Sequence, residues 1–211
     1  MMKLALISAL AGSAAAFAPA AQTGARSTSL NAFTTDSIPG ALPPVGLFDP
    51  LGFAAKADEM TLKRYREAEL THGRVSMLAV VGFLVGEAVE SKTVLFNGEI
   101  TGPAIGQLAQ VNPLLWVALG AGIAKAESIR AEIGWVEPKD VPFDKPGQLR
   151  ANYVPGDLGF DPLGLKPESE DEFFVMQNKE LQNGRLAMLA AAGFLAQELV
   201  DGKGIIEHFS S

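Results

Sequence analysis

Two stretches of this chain carry the same pattern, with position 69 recurring at position 180, an offset of 111 residues. Glu69-Leu70-Thr71-His72-Gly73-Arg74-Val75-Ser76-Met77-Leu78 returns as Glu180-Leu181-Gln182-Asn183-Gly184-Arg185-Leu186-Ala187-Met188-Leu189, and the likeness runs on to Phe83-Leu84 and Phe194-Leu195. Upstream, Phe48-Asp49-Pro50-Leu51-Gly52 returns as Phe160-Asp161-Pro162-Leu163-Gly164, at an offset of 112. A whole loop-plus-helix unit therefore occurs twice. Each copy sets a carboxylate, a neutral ligand-type side chain and an arginine at the head of an apolar helix. Packing alone does not require that combination.

Three helices follow from the pattern. The first runs from about Asp58 to Glu90, with its apolar stretch from Val75 to Val89. The second opens at Asn112-Pro113, a capping residue followed by proline at the first helical position, and fades by Gly134. The third opens on the capping box Ser169-Glu170-Asp171-Glu172 and continues to about Val200, ahead of Gly202. At 1.5 Å per residue the first and third are about 40–50 Å long, more than the roughly 30 Å of a bilayer core. Their unbroken apolar runs reach only about 11 to 15 residues, fewer than a span usually has. A mean hydropathy of +0.19 together with 19% charged residues fits a small membrane protein with charged loops. The expected fold is an all-α membrane protein of three transmembrane helices, the first and third crossing as a pseudo-twofold pair.

The net charge of −7 without a basic run excludes nucleic acid as a partner. The absence of cysteine excludes disulfides and thiolate chemistry, and two histidines, His72 and His208, cannot build a His-rich metal site.

At the N-terminus, Lys3 precedes an apolar run from Leu4 to Ala11, and Ala14-Ala15-Ala16 suits cleavage, so residues 1–16 read as a signal peptide. Residues 17–31 contain no acid, one base (Arg26) and several Ser and Thr, the composition of a transit peptide. A signal peptide followed by a transit peptide, with Phe17 after the cut, resembles the two-part address of plastids enclosed by extra membranes; plain secretion with a linker is the alternative. Residues 32–211 are then the mature three-helix domain. Lys and Arg gather before the first helix (Lys56, Lys63, Arg64, Arg66) and between the second and third (Arg130, Lys139, Lys145, Arg150, Lys166). By the positive-inside rule the N-terminus is stromal, and three spans place the C-terminus in the lumen.

Glu69 and His72 share one helix face, whereas Arg74, five residues from Glu69, lies about 140° round the helix and is poorly placed to neutralise it. A twofold axis resolves this: Glu69 pairs with Arg185 and Arg74 with Glu180, each arginine crossing to the other helix. Gly73 and Gly184 let backbones or a flat ligand approach. Such pairs are costly to bury, and they make better sense if the carboxylate also binds a cation. Magnesium prefers oxygen ligands, and a metal held in a macrocycle needs only one or two axial ligands. Glu held by Arg, neutral His, and Asn or Gln amides all qualify. Asn183 is three residues after Glu180, and Gln197, fourteen after Asn183, returns to nearly the same face about 21 Å further on.

The doubled E-x-x-[HN]-G-R motif with its paired Phe-Asp-Pro-Leu-Gly loops resembles the chlorophyll-binding light-harvesting family, and within it the fucoxanthin chlorophyll a/c branch, over about Leu47 to Glu207. The resemblance implies axial ligands to chlorophyll magnesium at Glu69, His72, Glu180, Asn183 and Gln197, with Arg74 and Arg185 as charge partners. On the second helix, Glu127 and Arg130 resemble the family's third Glu–Arg ligand pair. The family's glutamine eight residues earlier falls on Leu119, the counterpart of Gln197 in the first repeat is Gly86, and His208 is out of register with the C-terminal histidine ligand.

The resemblance further implies short amphipathic lumenal helices, one carrying His208. Its cofactors are chlorophyll a, chlorophyll c and fucoxanthin or a related xanthophyll. The setting is the thylakoid membrane of a secondary plastid, with a photosystem core and other antenna subunits as partners in an oligomer or supercomplex. The function implied is a non-enzymatic light-harvesting antenna. An alternative is a photoprotective, energy-quenching member of the same family responding to lumen pH. The stress-related branch is resembled at Thr71–Val75, Phe96–Ile105 and Ala196–Val200, with Glu90, Glu99, Asp201 and Glu207 as candidate sensing carboxylates. A di-iron carboxylate enzyme, suggested by the Glu69-x-x-His72 spacing, requires a second Glu-x-x-His where this chain has Asn183.

Overall fold

The computed structural model describes residues 38–43, 46–89, 100–142 and 147–210. The signal and transit segments, Glu90, Glu99 and Lys145 lie outside the described residues. Among the described residues the chain is helical and holds no strand, only two isolated bridges, Leu42 with Gly46 and Trp135 with Leu149. The α-helices in order are α1 (Phe53–Lys56), α2 (Glu59–Val89), α3 (Ala104–Gln107), α4 (Pro113–Gly134), α5 (Glu170–Asp201) and α6 (Ile205–Ser210).

The long helices begin and end where side-chain chemistry provides for it. Asp58 Oδ1 accepts from Thr61 N–H at 3.1 Å ahead of α2, and Asn112 Oδ1 from Leu114 N–H at 2.9 Å ahead of α4, where Pro113 takes the first position. The capping box expected at α5 does not form: the Ser169 side chain accepts no bond from the first turn. Three acids, Glu170, Asp171 and Glu172, stand there instead, favourable to the positive end of the helix dipole. Gly202 closes α5 in the left-handed conformation, φ 66°.

α2 and α5 have 31 and 32 residues, hence about 46 and 48 Å, and pack on each other as a crossed pair. At the crossing a Cβ on Gly73 would lie 3.0 Å from the Gly184 Cα, so only glycine permits this approach. Leu70 and Leu181, equivalent across the repeat, are both buried, as are Ala187 and Ala191 further along α5. Further along, the equivalent Phe83 and Phe194 meet edge to face with centroids 6.1 Å apart. The pseudo-twofold relation expected from the repeat is thus present in the packing.

Much of the apolar surface stays outside. Val75, Leu78, Val81 and Val85 on α2, Leu186, Leu189, Leu199 and Val200 on α5, and Leu114, Val117 and Ile123 on α4 are exposed. Apolar surface on that scale marks contact with lipid or with bound apolar ligands. Residues Glu59–Ala88 are long and apolar enough to cross a membrane, with only 11% of the apolar window buried, unlike the core helix of a water-soluble protein. Among the described residues no other helix meets that measure. The charged second half of α4 (Lys125, Glu127, Arg130, Glu132) and the charged first half of α5 interrupt their apolar runs.

Candidate functional site

The charged residues of the repeat pair across the helices. Arg74 Nε donates to Glu180 Oε1 at 2.7 Å, and Arg185 Nε to Glu69 Oε1 at 2.8 Å. Each arginine also reaches a loop: Arg74 donates to the Gly156 carbonyl at 2.8 Å and Arg185 to the Gly40 carbonyl at 2.7 Å. The two halves differ in charge. Glu69 receives a second guanidinium, Arg66, at 2.7 Å, whereas the counterpart of Arg66 in the second repeat is Gln177.

Those loop contacts belong to a further repeat that the sequence reading missed. Ile38-Pro39-Gly40 and Val154-Pro155-Gly156 occupy equivalent places, and both glycines have positive φ, 98° and 84°. A Cβ on Gly156 would sit 2.6 Å from Leu70 Cδ1, and one on Gly40 3.1 Å from Leu181 Cδ1. Gly40 N–H donates to Asn178 Oδ1 at 2.6 Å, and Gly156 N–H to Glu67 Oε2 at 2.8 Å. Asn178 and Glu67 are again 111 residues apart. A Pro-Gly pair ahead of each Phe-Asp-Pro-Leu-Gly was the available signal. Unequal spacing hid it: Gly40 precedes Phe48 by eight residues and Gly156 precedes Phe160 by four.

Glu67, 3% exposed, anchors the second helix as well as the loop. It accepts from Arg130 on α4 at 3.1 Å and from the Tyr153 hydroxyl at 3.0 Å. Burial pushes the Tyr153 phenol up to about 12, with the Glu67 carboxylate beside it adding to the shift. Arg130 also binds Thr71 Oγ1 at 2.9 Å and, within α4, Glu127 at 2.8 Å. The expected Glu127–Arg130 pair is therefore present, and its arginine also tethers α4 to α2.

His72 and Asn183 are presented alike. His72 Nδ1 lies 2.7 Å from the Ala68 carbonyl, so it is the protonated nitrogen and Nε2 keeps its lone pair. Asn183 Nδ2 donates to the Lys179 carbonyl at 2.9 Å, which leaves Oδ1 as the outer atom. Both side chains are exposed, each on the outer side of its helix. Anchoring one ring or amide nitrogen to the backbone is how a protein fixes the orientation of a metal-ligating side chain. Gln197 is half-buried, and its Nε2 has no hydrogen-bond partner among the described residues, unlike the anchored nitrogens of His72 and Asn183. Imidazole nitrogen, amide oxygen and arginine-held carboxylate are donors suited to a metal centre short of one axial ligand. The residues present fit a magnesium macrocycle.

The Phe-Asp-Pro-Leu-Gly segments are turns, as expected. Asp49 accepts from Phe53 N–H at 2.9 Å and Ala54 N–H at 2.7 Å, starting α1. Asp161 accepts from Leu165 N–H at 3.0 Å and Lys166 N–H at 2.8 Å. The Lys166 and Leu165 amides hold the Asp161 carboxyl below the usual range. For Asp49 partial desolvation acts upward, but the amides of Ala54, Phe53 and Ala55 outweigh it. His208 lies on α6, with Nδ1 3.0 Å from Asp201. Leu119 is exposed on α4, and Gly86 approaches Gln107 Oε1, which would lie 3.3 Å from a Cβ built there.

A crossed pair of long helices, one of membrane-spanning character, cross-neutralised by two carboxylate–arginine pairs and carrying an outward imidazole and an outward amide, defines a helical membrane scaffold with paired ligand-type sites. Residues 34–199 match the family model described as chlorophyll A-B binding protein, and the chain belongs to that family. It is 50% identical over 165 residues to a fucoxanthin-chlorophyll a-c binding protein of Isochrysis galbana, covering 78% of this chain and 77% of that one. It is 49% identical over 179 residues to light-harvesting complex stress-related protein 3.2 of Chlamydomonas reinhardtii, covering 83% of this chain and 68% of that one. Fucoxanthin-chlorophyll a-c binding protein F of Phaeodactylum tricornutum is 37% identical over 203 residues, covering 93% and 95%.

Proposed function

We propose that this protein is a light-harvesting antenna of the plastid thylakoid, binding chlorophylls a and c and fucoxanthin or a related xanthophyll and passing excitation energy to a photosystem. The observation that carries the reading is the twin presentation of His72 and Asn183, each anchored to the backbone beside a carboxylate clamped from the opposite helix. Glu69, His72, Glu127, Glu180, Asn183 and Gln197 are the axial ligands, and Arg74, Arg185 and Arg130 neutralise the carboxylates among them. The protein makes and breaks no bond: it fixes the spacing of its pigments. Residues 1–16 and 17–31 serve as leader, and the mature domain crosses the membrane three times through α2, α4 and α5, N-terminus stromal and C-terminus lumenal. The exposed apolar faces of α4 and α5 support the two spans whose apolar runs are short. The pigments supply light absorption, and the partners are a photosystem core and further antenna subunits.

The test is the pigment content of the purified full chain and of its ligand variants. Chlorophyll a, chlorophyll c and xanthophyll bound together, with His72→Ala and Asn183→Ala each losing about one chlorophyll, are expected. A folded, colourless protein overturns the reading.

A second reading, photoprotective quenching, draws support from the stress-related relatives, 49% identical, and from the Asp201–His208 pair. A fluorescence lifetime of the isolated protein that shortens on acidification favours it, and a flat lifetime excludes it.

A further inference from the structure

Along α4 every residue is exposed except Arg130 and Gly134, and both of these attachments lead to Glu67. Arg130 Nη1 donates to Glu67 Oε1 at 3.1 Å and to Thr71 Oγ1 at 2.9 Å, both on α2. Gly134 seats the ring of Tyr153, whose Cζ would lie 3.1 Å from a Cβ built there, and the Tyr153 hydroxyl donates to Glu67 Oε2 at 3.0 Å. The Gly156 N–H donates to the same oxygen at 2.8 Å. Glu67 is therefore 3% exposed with both oxygens bonded, a buried acid held from three sides. At the other end of α4, Trp116 donates to the Leu108 carbonyl in the segment ahead of the helix, not to α2 or α5.

The Arg130 guanidinium has a second edge. Its Nε and Nη2 both fall on Glu127 Oε2, at 3.0 and 2.8 Å, and leave Oε1 without a bond from it. Because the guanidinium is a rigid plane, fixing Nη1 on α2 also fixes where the Glu127 carboxylate stands relative to α2. The network continues past Glu67: the Gly156 carbonyl accepts from Arg74 Nη2, whose Nε holds Glu180. Glu67 thus stands at the junction of hydrogen bonds running from Glu127 on α4 to Glu180 on α5.

Across the pseudo-twofold axis only half of this is reproduced. Asn178, the counterpart of Glu67, takes the same bond from its loop glycine, Gly40, at 2.6 Å, but its amide nitrogen turns back to the Phe174 carbonyl of its own helix. The repeat supplies the loop anchor, and the charge at position 67 adds the third helix. Resting on the antenna reading above, with Glu127 a ligand on α4, we infer that Glu67 is a positioning residue: it binds no pigment itself and, through Arg130, sets the distance and angle at which the pigment on Glu127 stands to those on α2 and α5. Excitation transfer depends on those two quantities, so Glu67 acts on transfer and not on pigment affinity. Glu127 and Arg130, three residues apart on one helix, keep their own pair without α2.

The experiment reconstitutes the full chain with chlorophyll a, chlorophyll c and xanthophyll, counts the pigments, and records visible circular dichroism, which reads the mutual orientation of coupled pigments. Glu127→Ala marks the relevant signal: it should lose about one chlorophyll, and with it the excitonic band to which that pigment contributes. Glu67→Gln should keep the chlorophyll and still shift or lose the same band. Glu67→Asp, which retains the charge, should restore the band in part. Asn178→Ala, which removes the matching loop anchor, should lower thermal stability and leave the band in place, so that position is separated from stability. If Glu67→Gln fails to fold, Thr71→Val decides: it removes one of the two bonds from Arg130 Nη1 at nearly constant size, and the same band should shift less far. A band unmoved in the folded variant, a chlorophyll lost from Glu67→Gln, or a Glu127→Ala protein that keeps every chlorophyll overturns the assignment and leaves the antenna reading standing. An unaltered protein that binds no chlorophyll overturns both.

Discussion

Glu87 and Glu198 exchange caps. Glu87, on α2, accepts from the Ile205 N–H and, at 2.7 Å, the Ile206 N–H at the start of α6, the short helix that follows α5. Glu198, on α5, accepts from the Ile105 N–H at 2.8 Å in α3, the short helix that follows α2. The two glutamates are again 111 residues apart, so each long helix holds the short helix belonging to the other. Glu198 is 2% exposed, and its Oε1 has no hydrogen-bond partner among the described residues.

Removing either cap should loosen the short helix it holds. Glu198→Ala is expected to cost about 1–2 kcal/mol, the scale of a lost N-terminal cap. Hydrogen exchange at Ile105 should quicken while exchange around Gly73 stays slow. Uniform quickening throughout would show that the cap is not local.

The cross-pairs should respond unequally to loss of their arginines. Among the described residues Glu180 pairs with Arg74 alone, whereas Glu69 keeps Arg66 when Arg185 is removed. Arg74→Gln should therefore destabilise more than Arg185→Gln, by about 1–2 kcal/mol for half-exposed pairs of this kind. Thermal unfolding of both variants and of Arg66→Gln/Arg185→Gln, which should match or exceed Arg74→Gln, checks the ordering.

At the crossing, Gly184→Ala sets a methyl group against Gly73, where a Cβ would lie 3.1 Å from the Gly73 Cα. Overpacking of that kind costs about 1–3 kcal/mol, because backbone cannot step aside as a side chain does. Gly193→Ala, on the same helix with nothing among the described residues within 4 Å, should be tolerated. Comparing unfolding of the two tests whether contact, rather than helix propensity, sets the cost.

Acid should leave the loops in place until the pH is low. Asp157 is held down first by its bond from Lys166 Nζ, at 2.6 Å, and Asp161 by the Lys166 and Leu165 amides, both below the ordinary 3.8. A carboxyl depressed in the folded state contributes stability above its unfolded pKa and loses it as pH falls through the folded value. Limited proteolysis between Val154 and Lys166 should be flat from neutral pH to about pH 4, rising only below it. A rise near pH 5 to 6 would mean that other groups govern this loop.

The sequence was explicit about the helix starts that rest on local chemistry. Asn112-Pro113 and the Gly202 stop acted as expected, because capping and glycine's left-handed conformation involve only neighbouring residues. Ser169 did not cap α5, since an acid-rich first turn already suits the dipole and nothing obliges the hydroxyl to accept. The cross-pairs of Glu69 with Arg185 and Glu180 with Arg74 were also legible, because a repeat fixes a symmetry and symmetry fixes partners.

The roles of Glu67, Asn178, Glu87 and Glu198 were not legible, although each stands in the repeat. Carboxylates and amides are at home on any helix surface, and their pattern does not say which will be buried. Only the folded chain brings Gly40, Gly156, Ile105 and Ile205 to them, the glycines from loops whose spacing differs between the halves and the isoleucines from the short helices α3 and α6. The repeat by itself determined that two helices would face each other and which charges would meet. The tertiary structure decided where that symmetry breaks: a second arginine on Glu69 and a tether from α4 to Glu67. Symmetry follows from residues that match, but its breaking follows from what the unmatched loops and the third helix happen to place nearby.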